Sequence, residues 1–158
     1  MKRKDFFQLV QPVTEKLYRV AYTIIPDDLQ AEQLVIDSFN AFLIKEKKMI
    51  LASREYESMS KKEILVKRRS IFKNILFYMT QIGVRRSGQL TDQTKQTDFK
   101  TYFGLEVKVR LVMTLRFDFQ FSVDEIEEIT GMIKYEVIEK LHNGRFLLLS
   151  EINRGVQP

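Results

Sequence analysis

The stretch from Ser122 to Leu149, SVDEIEEITGMIKYEVIEKLHNGRFLLL, constrains the fold of this chain more than any other. Ser122 followed three residues on by Glu125 is a capping box, in which each side chain takes one of the backbone N–H groups that a helix start leaves unpaired. Ile126 and Ile129 give that helix a buried stripe. Gly131 tolerates the left-handed conformation that stops a helix, so the chain turns sharply and begins again near Lys134. Val137, Leu141 and Leu148 then recur four and seven residues apart, which places them on one apolar face. Two readings fit this spacing: an ordinary helical hairpin, or a helix-turn-helix whose second helix faces DNA.

Composition excludes several function classes. With 158 residues, 44% of them hydrophobic, the chain has room for one domain or two small ones. No apolar run approaches the roughly 20 residues of a membrane span, and FFQLVQPV after MKRK is too short and interrupted for a signal-peptide core, so a cytoplasmic protein is expected. Without cysteine there is neither a disulfide nor a thiol nucleophile. The sole histidine, His142, cannot form a histidine cluster for a metal and reads as a helix-surface residue. No Walker-type loop or nucleotide fingerprint is present, so the expectation is no enzyme, no cofactor and no small-molecule substrate.

Charge is uneven along the chain. Residues 1 to 44 carry a net −1, residues 45 to 86 a net +8, residues 87 to 104 balance, and residues 105 to 158 carry −2. All the net positive charge sits in one block of the first half, and the helix-turn-helix half is slightly acidic.

Residues 5 to 25 hold Leu17, Val20, Ala21 and Ile24 at helical spacing, and Pro12 is predicted to begin or kink that helix. Pro26, Asp27 and Asp28 mark a turn and the acidic start of a second helix running to about Ile44. On it Ala31, Leu34, Val35, Ser38, Phe39 and Phe42 share a core face. A narrower strip of Leu29, Ile36 and Leu43 lies on another side, either against a neighbouring helix or as a docking surface. In IFKNILFYMTQIGVRR, helical spacing turns Ile71, Phe72, Ile75, Met79 and Ile82 inward and leaves Lys73, Thr80 and Phe77 opposite. An aromatic among cations suits single-stranded nucleic acid, with Lys67, Arg68, Arg69, Lys73, Arg85 and Arg86 for phosphates and Phe77 for stacking on a base. Phe77 packed against the other half of the chain is the alternative. Residues 87 to 104 are polar and net neutral, and read as a linker.

Two segments resemble the extracytoplasmic-function sigma factors of bacterial RNA polymerase. LYRVAYTIIPDDLQAEQLVIDSFNAF is similar to their region 2, with Ala31, Glu32, Leu34, Val35 and Phe39 in step; IFKNILFYMTQIGVRR continues the likeness through Phe72, Leu76 and Met79. EIEEITGMIKYEVIEKLHNGRFLLL resembles region 4 through Glu125, Ile126, Gly131, Val137, Leu141, His142 and Arg145, preceded by LEVKVRLVMTLRFDFQF, which resembles the helix before that motif. The resemblance implies an all-α protein of two small helical domains: a region 2-like bundle over 1–86, a linker over 87–104, and a region 4-like helix-turn-helix over 105–158. It implies core RNA polymerase as a partner, met through Gln33, Asp37 and Asn40, with promoter DNA held by the first domain and an anti-sigma factor as regulator.

The outward side of the second helix of the pair carries Tyr135, Glu136, Glu139, Lys140 and Asn143, where the family usually presents hydroxyls and cations. Glutamates beside a phosphate backbone are repelled, Ile133 replaces the usual capping serine, and Glu127 stands at the close approach of the two helices, open to pairing with Arg145. Three functional readings follow: an ECF-like sigma factor; a sigma-like regulator that no longer reads upstream DNA and acts by protein contact with an anti-sigma factor or polymerase; and a helical interaction domain outside transcription. A closed arrangement of the two halves, meeting through Phe77 and the Leu29, Ile36, Leu43 strip, is a further expectation.

Overall fold

The computed structural model describes residues 3–48, 56–89 and 100–155, and these are helical throughout apart from turns. The linker expectation for 87–104 therefore lies partly outside the described residues, as does part of the basic block before Tyr56. Among the described residues no helix is long and apolar enough to cross a membrane.

Pro12 divides the first segment as its missing N–H requires: α1 (Arg3–Val10) passes through a short 3-10 turn, Gln11–Val13, into α2 (Thr14–Ile24). Asp27 caps α3 (Asp28–Lys45) by accepting the Gln30 N–H, and Ser60 and Glu63 form a reciprocal capping box on α4 (Lys61–Ser87). On α3 the expected face of Ala31, Leu34, Val35, Ser38 and Phe42 is buried and Phe39 half-buried. On α4, Ile71, Phe72, Ile75 and Met79 turn inward. Thr80 does not sit opposite them as its wheel position suggests; it is buried, and its hydroxyl donates to the Leu76 carbonyl.

The second half begins within the segment read as linker. Lys100–Phe103 forms one turn of helix, α5, and Phe103 is buried with its ring edge-on to Tyr22 at 5.7 Å. Then come α6 (Val107–Phe117), α7 (Val123–Thr130) and α8 (Lys134–Gly155). The helix-turn-helix forms as its local chemistry dictates. Ser122 and Glu125 make the reciprocal capping box, and Gly131 stops α7 with φ 72°, a conformation that costs glycine nothing sterically. Val137 is buried, and Leu141 and Leu148 pack half-buried against the core. At Gly144 a Cβ would stand 2.8 Å from Met113 Cγ, so the missing side chain is what lets α8 lie close on α6.

The two halves share one core. A continuous buried cluster runs from Leu9 through α2, α3 and α4 into Leu111, Val112, Leu115, Phe121, Ile126 and Val137. Phe72 of α4 packs against Phe119 and Phe121 of the α6–α7 turn, each pair of ring centroids 6.0 Å apart. The second join is polar. Arg110 of α6 is only 6% exposed and donates to the Thr23 carbonyl at 2.9 Å, the Ile24 carbonyl at 3.2 Å, and the carbonyls of Phe103 and Leu105. Thr23 and Ile24 end α2, so the guanidinium supplies donors and positive charge where a helix terminus leaves carbonyls unpaired.

This join replaces the expected one. Among the described residues Phe77 lies across no interface between the halves: it is 37% exposed and packs edge-on against its neighbour Tyr78. The strip of Leu29, Ile36 and Leu43 is not covered by a neighbouring helix either, remaining 78%, 52% and 39% exposed. The larger apolar side chains of the α6–α7 turn occupy α4 instead.

Candidate functional site

The cations of α4 do not form one open face. A helix turns about 100° per residue, so Arg69, Lys73 and Phe77 share a flank while Lys67 with Arg85, and Arg68 with Arg86, fall on two others. The α7 helix lies along the first flank. Arg69 grips Glu125 with two nitrogens, at 2.7 and 2.9 Å from Nη2 and 3.1 Å from Nε, while its guanidinium lies 5.0 Å over the Phe121 ring. Lys73 pairs with Glu128 and stands 3.9 Å from Glu125. Arg68 Nε donates to the Leu9 carbonyl at 3.1 Å, and Arg86 pairs with Asp37. Lys67 is half-buried, Arg85 exposed. The acidic half is thus folded onto part of the basic block, and its carboxylates occupy two of the side chains expected to meet phosphates.

Two of the three expected polymerase-facing residues are likewise committed within the chain. Gln33 Nε2 donates to Asp37 Oδ1 at 2.9 Å and Asp37 holds Arg86, while Asn40 is exposed. On the outward side of α8, Tyr135, Glu139 and Asn143 are exposed. Glu136 accepts the Ile133 N–H at 3.1 Å, so this carboxylate restores half of the cap that isoleucine cannot supply. Lys140 pairs with Glu106 at 3.0 Å. Arg145 does not pair with Glu127; it lies over the Phe117 ring at 5.0 Å. His142 is exposed, as expected for a helix-surface residue.

Two carboxylates in these contacts are held below the usual range. At Glu125 burial pushes the carboxyl up, but the Ser122 N–H and the Arg69 guanidinium, with Lys73 behind them, outweigh it. At Asp37 the Arg86 hydrogen bond lowers it first, burial opposes, and the Gln33 amide adds to the lowering. On α2 the Tyr18 phenol, donating to Asp28 at 2.7 Å, is pushed up to about 12. Because Glu125 and Asp37 release protons more readily folded than unfolded, the unfolded chain binds more protons just below the ordinary carboxylate range. Their stabilisation is present above about pH 4 and is lost as pH falls toward the lowered folded values. Acid unfolding followed by circular dichroism is expected to be less steep in a Glu125→Gln, Asp37→Asn double variant; an unchanged acid limb refutes the assignment.

What sequence reasoning missed is the pairing, and with it a cleft where the α6–α7 turn meets α2 and α4. Val13, Lys16, Arg19, Arg68, Arg69 and Phe72 line one side of it, and Asp118 to Phe121 the other. The signal present in the sequence was LRFDFQF, three aromatics around a charged turn. Nothing in it named their partners. Among the described residues no group of three or more histidine, aspartate or glutamate side chains is placed to hold a metal ion. No protein-family model matches the chain, and no curated protein matches it at a significant level.

Proposed function

We propose that the chain is a sigma-like protein of transcription initiation, of the extracytoplasmic-function type, which docks on core RNA polymerase and uses the basic first half on promoter DNA. The observation that carries the reading is the α7–Gly131–α8 unit, built by a reciprocal capping box and a left-handed glycine and following a basic helical bundle in the order the family resemblance implies. In the closed form Arg69 and Lys73 are neutralised by Glu125 and Glu128, so engagement of DNA by that flank requires α7 to move away. Polymerase binding supplies the energy for that movement in this reading.

A second reading is favoured by the outward face of α8. Glu136 is used as a helix cap and Lys140 is drawn to Glu106, leaving Tyr135, Glu139 and Asn143, a set poor in donors for phosphates. A sigma-like regulator acting by protein contact with polymerase or an anti-sigma factor fits that face better. Co-elution of the full chain with bacterial core polymerase, followed by run-off transcription across a promoter library, separates these. Promoter-specific product supports the first reading. Co-elution without product under any salt condition supports the second, and recovery of neither polymerase nor a sigma or anti-sigma partner leaves a helical interaction domain outside transcription.

A further inference from the structure

The cleft between the halves carries more positive charge than the fold uses. Among the described residues its lining includes Lys16, Arg19, Arg68 and Arg69 against a single carboxylate, Asp118. Arg19 pairs with Asp118 at 2.9 Å and Arg69 with Glu125. Lys16 and Arg68 form no ion pair with a described carboxylate. The two unpaired cations lie beside two paired ones around one concavity, and an excess of this kind is relieved by an anion.

The floor is aromatic. Phe72, Phe119 and Phe121 meet there, and the guanidinium groups of Arg19 and Arg69 lie 5.4 and 5.0 Å over the Phe119 and Phe121 rings. A guanidinium beside an aromatic ring is a surface on which a second planar group can lie, while Lys16 and the Arg68 nitrogens not bonded to the Leu9 carbonyl remain for charge. Val13 and Leu65 complete an apolar margin. The cavity volume is about 470 Å³, within the roughly 300–1,000 Å³ of small-molecule sites. Gln120 in its lining has φ 55°, the one non-glycine residue with positive φ among the described residues.

We propose that this cleft binds a single phosphorylated nucleotide, its base lying against Arg19, Arg69 and the phenylalanines beside them and its phosphates on Lys16 and Arg68. The absence of a nucleotide fingerprint from the sequence does not bear on it, since the site is assembled from α2, α4 and the α6–α7 turn rather than from a phosphate loop. Its walls come from both halves, so an occupant adds to the closed form. The site does not depend on the transcription reading.

The test is calorimetric titration of the full chain with ATP, AMP, adenosine and inorganic phosphate at low salt, with thermal melting in parallel. Saturable one-to-one binding of ATP is expected, with a raised melting temperature and weaker binding of adenosine or phosphate alone. Lys16→Glu, at an exposed side chain, and Arg68→Gln are each expected to weaken ATP at least about tenfold, whereas a Lys61→Glu, Lys62→Glu variant, which removes the same kind of charge outside the cleft, leaves it unchanged. Melting of the unliganded variants identifies any that fails to fold, and Lys16→Glu alone then carries the test. No saturable binding of ATP or AMP overturns the proposal. So does equal weakening by the Lys61, Lys62 variant, which means diffuse attraction of polyanions, and so does binding of single-stranded oligonucleotides with no response to mononucleotides.

Discussion

Arg110→Met is expected to destabilise the protein by about 3 kcal/mol or more, because a buried guanidinium that satisfies four carbonyls is replaced by a side chain that satisfies none. Each buried carbonyl left unpaired costs about 1–3 kcal/mol, and two of them are the terminal carbonyls of α2. Methionine keeps most of the volume, so the loss measures the hydrogen bonds rather than a cavity. For a chain of this size about 2–4 °C of melting temperature follows each kcal/mol, so a drop of roughly 10 °C is expected. Arg110→Lys is expected to recover part of it, since an ammonium reaches some carbonyls without spanning all four. A methionine variant that melts with the parent protein contradicts this account. That outcome means the two halves do not depend on the join at α2.

Phe121→Ala is expected to have a comparable effect through a different force. The ring is 1% exposed, packs against Phe72, and stands one residue before the Ser122 cap, where with buried Ile126 it fixes the entry of the chain into α7. Truncating a fully buried phenylalanine costs about 3–5 kcal/mol, transfer and cavity together. The ion pairs at the same interface, Arg19 with Asp118 and Arg69 with Glu125, are partly exposed, and pairs of this kind contribute about 1 kcal/mol or less each. Packing therefore outweighs charge at this junction. In about 1 M NaCl the screening length falls to roughly 3 Å, yet the closed form is expected to persist, with urea midpoints shifted far less than by Phe121→Ala. Hydrogen exchange on α7 distinguishes the outcomes: protection lost in high salt, but kept in Phe121→Ala, reverses the ranking of the two forces.

That ranking shapes the functional proposal. If the halves were held by ion pairs, a polyanion such as DNA would separate them by competing for Arg69 and Lys73. Because an apolar junction and the buried Arg110 hold them, a partner must offer apolar surface of its own. The exposed Leu29, Ile36 and Leu43 strip on α3 lies clear of that junction and stays accessible while the halves are closed.

The local features were legible from residue order because each depends on neighbours a few positions away. Ser122 with Glu125, Asp27 before α3, Pro12 between α1 and α2, and Gly131 at the end of α7 act through backbone groups within about one turn of helix. The core faces of α3 and α4 were legible for the same reason, since period alone selects which side is apolar. Thr80 escaped because a hydroxyl able to bond its own helix is as easily buried as exposed.

The candidate site was legible as a set of residue types and not as an arrangement. Charge counting identified a basic block and an acidic end, both present in residue order. Whether Arg69 meets a phosphate or a carboxylate rests on Glu125, 56 positions away, and whether Arg110 is a surface cation or a buried cap rests on Thr23, 87 positions away. Helix period carries no term for such distances. The chain's order thus settles where helices start, stop and turn apolar, because those are short-range hydrogen-bond and burial preferences. Which cations remain available, and where a cleft opens, is settled by how the helices come together, because charge and shape complementarity exist only between surfaces already in contact.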